Sequence, residues 1–149
     1  MEAASYTELL RYDGAVVQRD RRPVVVPCAL QPRDVEVIRD VWRLKFLTAT
    51  QLLELHWPGR AGQVGRRRLA KLFRAGYLDR FRPITRTGGS FPWTYHLGKE
   101  GHRVLREIGV LDPRARFGSR PVYDYRYVLH EVDLNSWVIT WQRALGPTL

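Results

Sequence analysis

The sequence has 149 residues, of which 44% are hydrophobic and 27% are charged. This balance is typical of a folded domain and excludes a disordered chain, and no apolar run approaches the roughly 20 residues of a membrane-spanning helix. The single cysteine, Cys28, excludes an internal disulfide and a multi-cysteine zinc site. The first residues contain no basic stretch followed by an apolar one, so we expect no signal peptide and a cytoplasmic protein.

The net charge of +10 is concentrated in one part of the chain. Between Arg60 and Arg86, nine basic residues stand against one acid, Asp79, so 9 − 1 = +8 falls within this segment. Such clustering favours binding to a phosphate backbone. The alternative is a basic surface that is merely solvated.

Residues 1–31 are predicted to form an arm ahead of the folded body. The stretch "AVVQRDRRPVVV" has two valine-rich runs around a charged centre that contains a proline. It indicates either a hairpin or an extended strand laid on the main body.

Three helices are predicted after the arm. The first covers 32–45, where apolar residues recur at every third or fourth position. The second begins after Thr48, which forms a capping-box pattern with Gln51. The third covers 61–75 and ends at Gly76, a residue suited to the left-handed conformation that terminates helices.

Two short aromatic-rich runs, 77–84 and 90–97, then predict strands, because Gly88 and Gly89 between them favour a chain reversal. Both runs contain a proline, which cannot donate to a strand ladder, so we expect a two-stranded ribbon with open edges. A fourth helix is predicted within 98–110. A basic linker and a fifth, long helix over 123–145 complete the chain.

The expected fold class is mainly α with a small β-ribbon. Three helices followed by a ribbon describe a winged helix-turn-helix, here with an N-terminal arm and a long C-terminal helix. The expected division is an arm at 1–31, a winged-helix DNA-binding domain at 32–111, and a linker with a packing or dimerisation helix at 112–149. In this fold, the first two helices bury one side of the third, and the other side enters the major groove.

The third predicted helix has an apolar side and a basic side when its residues are placed at 100° intervals. Arg68 falls on the apolar side, which includes Val64, and does not fit this division. Base contacts are expected from the N-terminal half of the helix, at Gln63 and Arg67 of the basic side and at Arg66 on its border, because arginine and glutamine bond base edges in a bidentate manner. Phosphate contacts are expected from Arg60, Lys71 and Arg74, and from the ribbon residues Arg80, Arg82 and Arg86. For the ribbon arginines, the alternative role is protection of an exposed strand edge.

The fifth predicted helix carries more apolar area than a small winged helix covers alone. It either packs on its own chain or pairs with a second copy, and we favour the homodimer. The expected dimerisation residues are Tyr127, Leu134, Trp137 and Trp141. Such a dimer sets two recognition helices about 34 Å apart, which is one turn of DNA.

Four stretches together resemble the bacterial replication-relaxation family: "VWRLKFLTATQLLELHW", "GRRRLAKLFRAGYLDRF", "FPWTYHLGKEGHRVL" and "LHEVDLNSW". The resemblance covers residues 32–141 and implies a winged-helix protein associated with plasmids and other mobile elements. The family's arginine-rich helix is matched at 66–68 and its aromatic-Pro-x-x-Tyr-x-Leu wing at 91–97. Its late His…Asn pattern is matched by His130 and Asn135, although Ser136 stands where the pattern has an acid.

No catalytic residue, metal site or cofactor is expected. The four histidines include no His-hydrophobic-His pair of the kind a tyrosine relaxase needs, and Glu131 and Asp133 diverge on a helix. No GxxxxGK loop is present, and no small-molecule ligand is indicated.

The predicted function is therefore sequence-specific binding of double-stranded DNA, by a transcriptional regulator or a plasmid or mobile-element replication protein. The alternative is a protein-interaction module that uses the last helix as its binding surface. A membrane-binding role is disfavoured, because the basic helix has no bulky apolar face left for lipid.

Overall fold

The computed structural model describes residues 16–22, 24–84, 92–118 and 125–146. The described chain is mainly helical with a small antiparallel sheet, which confirms the predicted fold class. In chain order, its elements are β1 (Val16–Arg19), α1 (Pro32–Leu44), β2 (Leu47–Thr48), α2 (Ala49–His56), α3 (Gly62–Arg74), β3 (Leu78–Ile84), β4 (Thr94–Leu97), α4 (Lys99–Glu107) and α5 (Tyr125–Leu145).

The helix ends follow from local hydrogen bonding. At the start of α2, the backbone N–H of Gln51 donates to Thr48 Oγ1 at 3.1 Å, and the backbone N–H of Thr48 donates to Gln51 Oε1 at 3.0 Å. This is the predicted capping box. At the end of α3, Gly76 has a φ of 86° and donates to the Phe73 carbonyl, while Tyr77 donates to the Leu72 carbonyl. These bonds form a Schellman motif, as the glycine predicted.

The sheet has four antiparallel strands in the described residues, in the order β1-β3-β4-β2. Strands β3 and β4 form the predicted ribbon, and the predicted turn at Gly88 and Gly89 falls outside the described residues. The prediction of open ribbon edges is wrong, because β1 pairs with β3 and β2 pairs with β4. Of the two alternatives for the arm, the structure shows the second, because β1 is a strand that pairs with β3 of the main body.

The core lies between α1, α2, α3 and the sheet, and α5 adds Ile139 to it. Helices α2 and α3 approach closely at the buried Gly65, where a Cβ would lie 2.2 Å from Leu53 Cδ2 and 2.9 Å from Trp57 Cδ2. The prediction that Val64 faces the core is wrong, since Val64 is 52% exposed. Gly65 takes that side of the helix instead, because only a residue without a side chain fits the close helix crossing.

Helix α5 is attached to the turn between α1 and β2 through Asn135. Lys45 in this turn has a φ of 68°, and the Phe46 N–H donates to the Leu44 carbonyl at 2.8 Å. The Asn135 amide donates to both flanking carbonyls, of Leu44 at 2.8 Å and of Phe46 at 2.7 Å. Gln51 adds a second attachment by donating to the Val132 carbonyl and to Ser136 Oγ, both at 2.9 Å.

Candidate nucleic-acid interface

One face of α3 is polar, basic and exposed. It carries the residues predicted from the helical periodicity: Gln63, Arg66, Arg67, Lys71 and Arg74. Within the residues that the structure describes, none of these four cations forms a salt bridge with an acid. The opposite face buries Gly65, Leu69, Leu72 and Phe73. Helix α3 therefore presents four positive charges outward while its other side is held by the core.

Arg68 differs from its neighbours because it points into the protein. Its Nε donates to Asp34 Oδ1 of α1 at 2.8 Å, its Nη2 pairs with Asp34 Oδ2, and Nη2 also donates to the Ala29 carbonyl at 2.8 Å. Asp34 is fully buried. The hydrogen bonds to Asp34 raise the pKa of Arg68 above its ordinary value. Arg68 therefore joins α3 to α1, which explains its position on the apolar side.

Arg80, which we expected to contact phosphate, is engaged inside its own chain. It forms a salt bridge of 2.7 Å with Asp20 of the arm, and its guanidinium lies 4.3 Å from the Phe73 ring centroid and 4.5 Å from that of Trp93. A guanidinium with these partners has already replaced its hydration with protein contacts. Its position is that of a residue holding the arm to the sheet.

The other expected phosphate contacts are placed differently. Arg82 is half-buried and stacks on Trp93 at 4.6 Å, on the same side of β3 as Arg80. Arg60 is exposed in the connection between α2 and α3. Arg86 lies outside the described residues.

The lone acid of the basic segment, Asp79, is paired with an arm residue that the sequence analysis did not single out. Arg22 Nη2 contacts Asp79 Oδ1 at 2.6 Å and also donates to the Leu78 carbonyl at 3.1 Å. Together with Asp20 and Arg80, this makes two reciprocal ion pairs between the arm and β3. In the sequence, the sign of these ion pairs is that both "QRDRR" and "LDRF" contain neighbouring basic and acidic residues.

Helix α5 has a buried face and an exposed apolar face. Val128, Val132, Asn135 and Ile139 are buried. The exposed face is formed by Leu134, Trp137, Val138, Trp141 and Leu145. Trp137 is 68% exposed and Trp141 is 58% exposed. Of the predicted dimerisation residues, Leu134, Trp137 and Trp141 thus lie together, whereas the side chain of Tyr127 is not described.

The sequence matches the protein-family model described as replication-relaxation over residues 38–142, which is more than half of the chain. The chain belongs to the replication-relaxation family. The matched part contains all of α3, with its exposed basic face, and most of α5. No curated protein and no solved structure matches the sequence.

Membership of the replication-relaxation family connects the chain with the replication or relaxation of plasmids and mobile elements. Of the two residues in the late His…Asn pattern, His130 is exposed and Asn135 is buried as the donor to the α1–β2 turn. No described helix is both long enough and apolar enough to cross a bilayer. No three His, Cys, Asp or Glu side chains within the described segments are grouped as ligands for a metal ion.

Proposed function

We propose that this replication-relaxation protein binds double-stranded DNA through the exposed face of α3. The observation that carries the proposal is the placement of Gln63, Arg66, Arg67, Lys71 and Arg74 on one outward face, with no acid of the described chain paired to its cations. Charges that serve only solubility are usually interspersed with acids. A one-sided cationic helix matches a phosphate-lined groove instead.

The proposed architecture is a winged helix-turn-helix over residues 32–111. The order of α1, β2, α2, α3, β3 and β4 supports it, because a short strand between the first two helices pairs with the ribbon that follows the third. In this arrangement α3 is the recognition helix, and the connection between β3 and β4 is the wing.

The proposed contacts follow from position along α3. Gln63, Arg66 and Arg67 lie in its N-terminal half and are assigned to base edges, since that half of a recognition helix enters the major groove. Lys71 and Arg74 lie nearer its C-terminal end and are assigned to phosphates, together with Arg60 and Arg82. Arg86, which lies outside the described residues, is assigned to phosphate on the basis of the sequence alone. Arg80 is left out because of its ion pair with Asp20.

The test is a titration of duplex binding against salt. With about six phosphates contacted, log K is expected to fall against log salt with a slope near −5. A slope near zero would overturn the proposal. Selection of bound sites from random duplexes then separates sequence-specific from general binding.

We further propose that the exposed apolar face of α5 pairs with the same face of a second copy. Two exposed tryptophans, each able to bury roughly 150–250 Å², supply much of the roughly 800 Å² per partner that a standard interface takes. Pairing of the same face on two copies gives an interface with two-fold symmetry.

Sedimentation of the purified protein tests the dimer. A monomer at micromolar concentration would overturn it and leave the face to a different protein, which is the interaction-module alternative. In the proposal, the chain acts in the cytoplasm as a regulator or replication protein and binds DNA without cutting it. Incubation with supercoiled plasmid tests the last point, since nicked product would contradict it.

A further inference from the structure

A second basic site lies apart from α3, between α4 and the segment 112–118. A cavity of about 540 Å³ opens there. Its basic lining comes from Lys99, His102, Arg103 and Arg106 on α4 and from Arg114 and Arg116 on the segment, and Glu100 lines it as well. Residues 99, 102, 103 and 106 share one face of the helix, since they are three and four positions apart.

Two residues that line this cavity each have a buried polar atom without a hydrogen-bond partner. They are Nδ1 of His102 and Nε of Arg106. His102 is only 7% exposed, and its ring packs edge-on against Phe117 with the centroids 5.6 Å apart. Buried polar groups in folded proteins are nearly always hydrogen-bonded, so two such atoms one helical turn apart point to a missing polar ligand, which for the Arg106 N–H must be an acceptor.

The charge of the lining specifies what that acceptor is. The acid in the lining, Glu100, is bound to Arg103 at 2.7 Å, and Glu107 is bound to the same arginine at 2.6 Å. Lys99, Arg106, Arg114 and Arg116 form no salt bridge with an acid of the described chain. An anion in the cavity therefore meets several cations whose charge is not neutralised.

We propose that this cavity binds a phosphoryl group. The Arg106 guanidinium and a His102 N–H donate to its oxygens from α4, and Arg114 and Arg116 close over it from the segment. Multiple charge-assisted donors around a compact anion are the usual way in which proteins hold phosphate. The cavity volume falls within the roughly 300–1,000 Å³ of small-ligand sites, so a free phosphate compound fits, as does one backbone phosphate of DNA.

The site is independent of DNA binding through α3, and the experiment keeps the two proposals apart. The imidazole signals of His102 are followed by NMR in the full chain during titration with inorganic phosphate, with chloride at equal ionic strength as the comparison. We expect phosphate to move these signals and chloride to leave them in place. Arg116→Gln, at an exposed position, should weaken phosphate binding about tenfold, as should Arg106→Gln.

The matched control is Arg39→Gln, an exposed arginine of α1 that does not line the cavity. It should bind phosphate like the parent, and so should Arg67→Ala, which affects only the α3 surface. A short duplex provides the second arm. If the duplex moves the His102 signals and Arg116→Gln weakens duplex binding, the phosphoryl group belongs to DNA. If only inorganic phosphate moves them, it belongs to a small ligand. Unchanged His102 signals with both probes, or equal binding by Arg116→Gln and the parent, would overturn the proposal.

Discussion

The side chain of Arg68 in α3 donates a hydrogen bond of 2.8 Å to the buried carboxylate of Asp34 in α1. This bond fits the rotation of α3 that buries Leu69, Leu72 and Phe73 in the core. With Arg68 turned inward, the neighbouring Arg66 and Arg67 are exposed. The ion pair thus withdraws one arginine of the "RRR" run, and the other two are available to a partner.

The Arg68–Asp34 pair should matter for stability and Arg67 should not. Arg68→Met leaves Asp34 buried without its cation, and removing one partner of a buried pair costs about 3–5 kcal/mol. The matched control, Arg67→Met, should stay within about 0.5 kcal/mol of the parent, because it changes an exposed position. Urea unfolding measures both. Equal stabilities for the two variants would contradict the structural role of Arg68.

The exposed cations of α3 should matter for DNA binding rather than for stability. Arg67→Ala is expected to weaken specific duplex binding by about 1–3 kcal/mol, whereas Lys71→Ala should weaken binding to all duplexes and reduce the salt slope by about 1. Fluorescence anisotropy at several salt concentrations measures both effects. Arg39→Ala on α1 serves as the charge-matched control. A loss as large in this control as in Arg67→Ala would show that net charge, rather than the α3 face, drives binding.

Asn135 should contribute to stability through the turn it holds. Asn135→Ala leaves the carbonyls of Leu44 and Phe46 without their donor, which should lower the free energy of unfolding by about 2 kcal/mol. Asn135→Asp should cost more, because it sets acceptors against acceptors. His130→Ala, at the exposed position of the same pattern, is the control. Chemical denaturation compares the stabilities of the three variants. An Asn135→Ala variant as stable as the parent would refute this role of Asn135.

Acid should destabilise the protein partly through His102. Burial, and secondarily the charge of Arg106, lower its pKa below the ordinary 6.5, so the unfolded chain binds a proton that the folded chain does not. This contribution is fully present above pH 6.5 and is lost as the pH falls from there toward the lowered pKa. His102→Gln should flatten the decrease of melting temperature over that range. If the parent and the variant lose stability in parallel, His102 does not contribute.

The apolar face of α5 should control association. Trp137→Ser combined with Trp141→Ser removes two large exposed rings, and we expect the dimer to dissociate at concentrations where the parent stays associated. Thr140→Ala, exposed on the same helix, is the control. Analytical ultracentrifugation gives the distribution. Dimers of unchanged affinity in the double variant would place the interface elsewhere.

Much of the secondary structure was predictable, because the signals for it are local. The capping box of Thr48 and Gln51, the terminating Gly76 and the apolar spacing of α1 and α3 all act within a few residues. The exposure of four cations of α3, Arg66, Arg67, Lys71 and Arg74, was likewise predictable. The short β2 and the pairing of the arm strand β1 were not predictable, since β2 pairs with β4 and β1 pairs with β3, and both partners lie far along the chain.

The sequence by itself determined where the helices begin and end, and that a basic stripe would run along the third of them. Only the tertiary structure decided which basic residues bind within the chain. Arg68 pairs with Asp34, Arg80 pairs with Asp20, and Asn135 donates to the carbonyls on either side of Lys45. Periodicity assigns a side chain to one side of its helix or strand. Whether that side chain meets solvent or a buried acid depends on elements tens of residues away, which no local pattern encodes.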